Sequence, residues 1–290
     1  MSEAAPRERH LLEGKVIAVV GGGRGVGRAH ALACARAGAR AILLNDLGCD
    51  LRGEGADPSV ANAVVEELQA LGVEAVADQH DVGSHEGPSA IVQHTVEAFG
   101  RVDALIGAAG LHADATLLKL DDGLLGRVID VHVRGAFGLT RAASRAMIDQ
   151  GEGGAILLHT APAAFFGAAR QSALAASSAA VVGVVRSAAS ELRKHQIRVN
   201  AIAPTARTRT TEDRPLFKGI KPGSMGPEFV GPVGAFLVSP AAAEVSGEVV
   251  GVAGTRVYAL HGRETPGWFG VGDPPPPSAV AAAWSEITRS

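Results

Sequence analysis

The chain has 290 residues, enough for one large α/β domain or two small ones with a substantial core. Its 27 basic and 30 acidic side chains leave a formal net charge of −3, so no global positive field recruits nucleic acid or an anionic membrane surface. Two cysteines, Cys34 and Cys49, are too few for a disulfide framework and fit a reducing cytoplasm, while 37 glycines and only 4% aromatics suit helices packed closely on a parallel sheet.

Residues 1–14 carry mixed charge and no apolar stretch of the secretory kind, and read as an N-terminal extension. No uncharged apolar run is long enough to span a bilayer, so no membrane partner is expected, and no metal centre is assigned. Residues 15–33, KVIAVVGGGRGVGRAHALA, join a β-branched run to a glycine cluster and then to a helical pattern. This is how a buried parallel strand turns into a helix N-terminus, where free backbone N–H groups and the helix dipole form an anion site. The glycines are spaced Gly21-x-x-x-Gly25-x-Gly27. About 20 residues on, a second strand (residues 40–45) ends at Asp46, a carboxylate placed to accept the hydroxyls of an adenosine ribose and to repel a 2′-phosphate. That favours NAD over NADP.

Residues 48–58 read as a loop, 59–71 as a helix and 73–77 as a third strand that runs into His80-Asp81-Val82. A helix over 87–99 and a fourth strand over 102–106 lead into Gly107-Ala108-Ala109-Gly110, small residues that let backbone approach either a cofactor or a neighbouring strand. One long helical pattern covers 121–149, with Asp121 and Asp122 in its first turn. The fifth strand spans 154–159 and ends at His159, and a second long helix spans 172–195. Residues 197–202 and 248–252 complete seven strands. The reading is therefore α/β, a doubly wound Rossmann-type parallel seven-stranded sheet in a single domain, residues 15–255. Residues 207–225 are too polar and too rich in proline and glycine for a core element and read as a lid loop, whose Arg207, Arg209, Arg214, Lys218 and Lys221 could face a polyanion such as coenzyme A. Residues 256–290 form a C-terminal extension in which Asp273 opens a proline-rich spacer and Ser278 is the expected N-cap of a terminal helix containing Trp284.

The glycine spacing, NDLG at 45–48, Asp81-Val82 and NAIAP at 200–204 together resemble the short-chain dehydrogenase/reductase family over about residues 14–255. With VHVRGAF at 131–137, the nearest branch looks like the (3R)-hydroxyacyl-CoA dehydrogenase domain of peroxisomal multifunctional enzymes, the 17β-hydroxysteroid dehydrogenase type 4 group. The resemblance implies NAD as cofactor, held by Gly21, Gly23, Arg24, Gly25, Val26, Gly27, Asp46, Leu47, Asp81, Val82, Ala109, Gly110 and Pro204. It also implies oligomers built through the two long helices, as homo-oligomers or with a related subunit, and a CoA-type or polycyclic ligand.

The family's catalytic residues do not carry over. Its tyrosine falls on Leu174, its lysine on Ser178, its serine on Ala161 and its asparagine on His132; the single tyrosine, Tyr258, is followed four residues later by Gly262. Leucine cannot move a proton and alanine cannot hydrogen-bond a substrate oxygen, losses worth about 10²- to 10⁴-fold each. Three readings stay open. One is a pseudoenzyme that keeps a nucleotide site and serves as a partner subunit. Another is an enzyme with replaced chemistry, such as a lyase, dehydratase, isomerase or cyclase, using pocket histidines. The last is a dehydrogenase with a different proton donor. His159 and His132 are the candidate acid/base groups, with His112, Asp114, Arg170 and Gln171 near the same rim.

Overall fold

The computed structural model describes residues 11–221, 223–270 and 274–289. Up to Ala259 these pack as one compact unit, and the residues from Leu260 onward as a second, smaller one. In the first unit, β1 (Val16–Val20), β2 (Ala41–Asn45), β3 (Glu74–Asp78), β4 (Ala104–Gly107), β5 (Gly154–His159), β6 (Ile197–Thr205) and β7 (Val249–Ala253) pair in parallel in the order β3-β2-β1-β4-β5-β6-β7. Every residue of β1, β2 and β4 is buried, which is why these strands are continuous apolar runs rather than alternating ones. Large side chains such as Ile17, Leu44, Ile106 and Leu157 are fully buried, each contributing about 1.5–3 kcal/mol of apolar transfer.

Among the described residues the sheet has eight strands, not seven. Residues Arg256–Ala259 form β8, antiparallel to β7, so the sheet continues past residue 255 into what the sequence assigned to the C-terminal extension. Four residues, three of them polar or small, carry too little periodicity to be read as a strand. At the other end, Leu12 is fully buried and its N–H bonds to the Ala37 carbonyl, so the described end of the N-terminal extension belongs to the core; residues 1–10 lie outside the described residues.

Helices α1 (Gly25–Arg36), α2 (Pro58–Ala70) and α8 (Gly231–Val238) cover one face of the sheet. On the other lie α3 (Gly87–Phe99), α5 (Gly135–Gln150) and α7 (Ser172–Leu192). The predicted helix over 121–149 is α4 (Asp122–Ile129) continued into α5 through a π-helical turn, Asp130–Arg134. Asp121 stands at the N-cap of α4, its carboxylate accepting the Leu124 N–H at 2.8 Å. Helix α6 (Ala163–Phe166) is a single turn. By length and composition, one stretch among the described residues, Ser172–His195, is apolar enough to cross a membrane; half of its most apolar window is buried inside the fold, against β6 and its neighbours.

In the second unit, α9 (Pro277–Ala282) starts at the last proline of the spacer and α10 (Trp284–Ile287) follows; Asp273, which opens the spacer, lies outside the described residues. Pro276, not Ser278, occupies the N-cap and Pro277 the first helical position, where the missing N–H is harmless and the fixed φ already fits a helix. The Thr265 hydroxyl bonds the Ile287 carbonyl at 2.6 Å.

Candidate functional site

Strand order reverses between β1 and β4, and in such a sheet the ligand crevice opens beyond the carboxyl ends of the strands at that point. A cleft of ≈ 580 Å³ lies there. Gly21, Arg24, Gly25, Val26, Gly27, Asp46, Leu47, Asp81, Val82, Ala109, Gly110 and Pro204 all line it. Of the residues assigned to a cofactor, only Gly23 is not in the wall. Its N–H donates to Asp46 Oδ2 at 2.8 Å, and a Cβ there would press on that carboxylate and on Val60. Gly23 therefore fixes Asp46 rather than touching a ligand.

The glycine turn is required by packing as well as by chemistry. Gly21 has φ +75°, and a Cβ on it would sit 2.5 Å from the Ala109 N and Cα. A Cβ on Gly27 would overlap the Gly21 carbonyl. The small residues after β4 thus serve two purposes: the Ala109 backbone presses on the β1 turn, while residues 107–110 also face the cleft. The first turn of α1 opens onto the same space, an N-terminus suited to a pyrophosphate.

On the β2 side Asp46 is anchored twice, by Gly23 and by the Gly48 N–H at 2.8 Å, so its charge stays at the cleft wall. Arg24 and Arg209 both donate to the Cys49 carbonyl at 3.1 Å.

At the other end the four family positions converge: His132, Ala161, Leu174 and Ser178 all line the cleft. Leu174 and Ser178 are buried on α7, and the Ser178 hydroxyl has no hydrogen-bond partner. Tyr258 is elsewhere, on β8, its ring over Gly251 and beneath the Arg256 guanidinium at 4.4 Å. No tyrosine borders the cleft.

His132 sits in the π-helical turn, its Nε2 accepting the Leu111 N–H at 2.8 Å. Burial, and the nearby His112, push its pKa down to about 4, so it is neutral and committed to holding backbone. His159 is similarly neutral, pushed well below the usual value by burial and then by His30 and His132. Its Nε2 lies 3.0 Å from Nε2 of His30, a fully buried residue of α1. That leaves Nδ1 of His159 as the ring nitrogen not engaged with His30. His30 was not legible in the sequence, because a lone histidine in an alanine-rich helix carries no signal of what lies beneath it.

The loop at residues 207–225 folds over this region, with Thr208, Arg209, Thr210, Thr211, Arg214, Leu216 and Phe217 in the cleft wall. Two of its arginines are already engaged: Arg209 on Cys49, and Arg214, whose Nη2 reaches His112 Nδ1 at 2.9 Å and Asp114 at 3.1 Å. With its amide turned to satisfy both groups, Gln171 also accepts from Arg214 at 2.6 and 2.8 Å. His112, Asp114 and Gln171 are thus gathered by the loop. Arg170 lies beside them in a left-handed conformation (φ 67°), its guanidinium 3.5 Å from the Asp114 carbonyl.

Comparison with known proteins agrees with this geometry. The family model for short chain dehydrogenases matches residues 15–219. A Mycobacterium tuberculosis protein carrying the name short-chain type dehydrogenase/reductase is 34% identical over 280 residues, covering 96% of this chain and 95% of its own length. The peroxisomal hydratase-dehydrogenase-epimerase of Saccharomyces cerevisiae is 34% identical over 276 residues, and this chain spans 30% of its length. The crystal structure of a short chain dehydrogenase from Mycobacterium avium superposes with a TM-score of 0.83 at 32% identity, covering 96% of this chain and 95% of that one. The chain belongs to the short-chain dehydrogenase/reductase family.

Proposed function

We propose that this protein binds NAD in the cleft without using it for hydride transfer by a tyrosine–lysine route, and that it acts as a nucleotide-holding partner subunit. The observation that carries this is the wall around Leu174: the positions where the family resemblance calls for a proton donor, its lysine and a substrate-binding hydroxyl hold Leu174, Ser178 and Ala161, and the nearby histidines are neutral. Asp46, doubly anchored at the end of β2, favours the ribose hydroxyls of NAD over a 2′-phosphate. The glycine turn and the α1 N-terminus would hold the pyrophosphate, and Asp81, Val82, Ala109, Gly110 and Pro204 would border the rest.

Apolar groups at the reactive end, Leu174, Phe166, Leu216 and Phe217, suit an acyl-CoA or polycyclic ligand. Exposed Ile129, Phe137 and Ile148 on α4 and α5 support assembly through the long helices, with itself or with an active relative. Free thiols at Cys34 and Cys49 agree with a reducing cytoplasm, although the yeast relative is named peroxisomal. Calorimetric titration with NADH and NADPH, beside turnover assays on 3-hydroxyacyl-CoA and hydroxysteroids, tests the reading. NADH should bind more tightly than NADPH with no substrate-dependent change in cofactor redox state. Absence of binding by either nucleotide, or robust turnover, overturns it.

A second reading has its own support. His159 lines the cleft with His30 behind it, and the relatives' names include dehydrogenase, which favours acid–base chemistry at His159 Nδ1. Loss of an identified turnover in His159→Ala, with NADH binding retained, would establish that reading instead.

A further inference from the structure

At the carboxyl end of β3, beside the cleft, Asp78 gathers two histidines from different elements. His80 Nδ1, from the strand's continuation, and His94 Nδ1, from the middle of α3, each lie 2.7 Å from the same oxygen, Asp78 Oδ2. The three candidate ligand atoms are all within 4.8 Å of one another. The carboxylate is buried, with 1% of its side chain exposed, whereas the imidazoles are 51% and 36% exposed.

The geometry points to a zinc-class transition-metal site formed by Asp78, His80 and His94. Two imidazole nitrogens and one carboxylate oxygen are a donor set that zinc accepts, with a fourth position left for water. Tetrahedral ligands about 2.0–2.1 Å from a zinc ion sit about 3.3 Å apart, so loading asks each imidazole nitrogen to withdraw from Oδ2 by about 0.6 Å and the two nitrogens, within 4.8 Å of each other, to take up the same spacing. The surroundings supply what such a site needs. Asn45 Nδ2 donates to the other carboxylate oxygen, Oδ1, at 2.6 Å and to the His80 carbonyl at 2.9 Å, which orients the ligand as an outer-shell partner does. Two half-open rings give the ion a path in from solvent. A bound ion would clamp β3 to α3. Because His80 also lines the cleft, metal and nucleotide occupancy would then be linked.

The test uses the full-length chain without an affinity tag, stripped with chelator and titrated with Zn²⁺ against a chromogenic competitor. One equivalent should bind, and His94→Ala should weaken it by more than the roughly 10- to 100-fold expected from losing an outer-shell contact. His94→Cys should restore binding, since a thiolate is a competent ligand. Should His94→Ala fail to fold, His80→Ala, altering a half-exposed side chain, takes its place with the same expected loss. Zinc uptake that is absent in the wild type, or equal in the wild type and both alanine variants, overturns the assignment and leaves a hydrogen-bonded His–Asp–His cluster.

Discussion

Nε2 of His30 and Nε2 of His159 lie 3.0 Å apart with their rings nearly perpendicular, joining the buried face of α1 to the last residue of β5. One ring must donate and the other accept, so the contact exists only while at least one of the two is neutral. Burial holds His30 at about 4 against an ordinary value near 6.5, partly offset by the Gly231 carbonyl. In the unfolded chain the same ring takes up a proton as the pH passes below 6.5, while the folded chain takes it up only near 4. The unfolded state therefore binds more protons in that window, and stability falls as the solution is acidified. The shift corresponds to about 3 kcal/mol for His30, and His132 acts in the same direction. Urea denaturation at pH 7.5, 6, 5 and 4.5 should show this decline, and His30→Gln should make it shallower. A pH profile identical in the variant would show that the pair is not the cause.

Gly27 touches the Gly21 carbonyl so closely that a methyl group cannot be added without moving the turn. Gly27→Ala should cost about 2 kcal/mol or more in urea unfolding, at the upper end of overpacking effects. It should also abolish NADH binding, because the displaced turn no longer presents its N–H groups to a phosphate. Gly55→Ala is the comparison: nothing lies within 4 Å of a Cβ there, and its cost comes from its positive φ alone.

Arg214 is the fastener of the loop at residues 207–225. It reaches across to Asp114 and His112, and burial, with the Arg214 charge second, keeps His112 below its usual pKa. The ion pair is partly exposed, so its removal should change global stability by only about 1 kcal/mol or less. Local opening is another matter, because the reach of Arg214 to His112, Asp114 and Gln171 is lost, leaving the Arg209 bond to Cys49 and the buried Phe217 to hold the loop. Arg214→Ala should be cut by trypsin several-fold faster at Arg207, Arg209 or Lys218, with little change in melting temperature. Asp114→Asn should behave similarly. Cleavage at the wild-type rate in both variants would show that the loop is held elsewhere.

The sequence made the parallel sheet legible because strands buried on both faces must be apolar throughout, and because the glycine turn and Asp46 stand at a spacing that only a β-α-β order supports. Local features that leave composition unchanged stayed hidden. DVHVR reads as ordinary helix, yet its π-helical turn is what swings His132 onto the Leu111 backbone. By its place in the turn Gly23 belongs with the cofactor residues, whereas its contact with Asp46 depends on the approach of β2. The His30–His159 pair and the Asp78 cluster each join residues from separate elements, and nothing in their local spacing marks them.

The sharpest test of the proposed function is to put the missing groups back. Leu174 and Ser178 are four residues apart on α7 and therefore share a face of the helix, and Ala161 borders the same cleft. The Ser178 hydroxyl is unpartnered, so a lysine there displaces no hydrogen bond of that side chain. The variant Leu174→Tyr, Ser178→Lys, Ala161→Ser would place a phenol, an ammonium and a hydroxyl at the positions the family uses. If only those groups are missing, the variant should oxidise NADH with a 3-ketoacyl-CoA at a rate at least about 10²-fold above wild type, the lower bound for one positioned acid–base group. Leu174→Tyr alone should gain less, since nothing then lowers the phenol's pKa. A triple variant that binds NADH as well as the wild type but gains no activity would show that the cleft has lost more than these side chains. Wild type already turning over at the variant's rate would instead place the chemistry on His159.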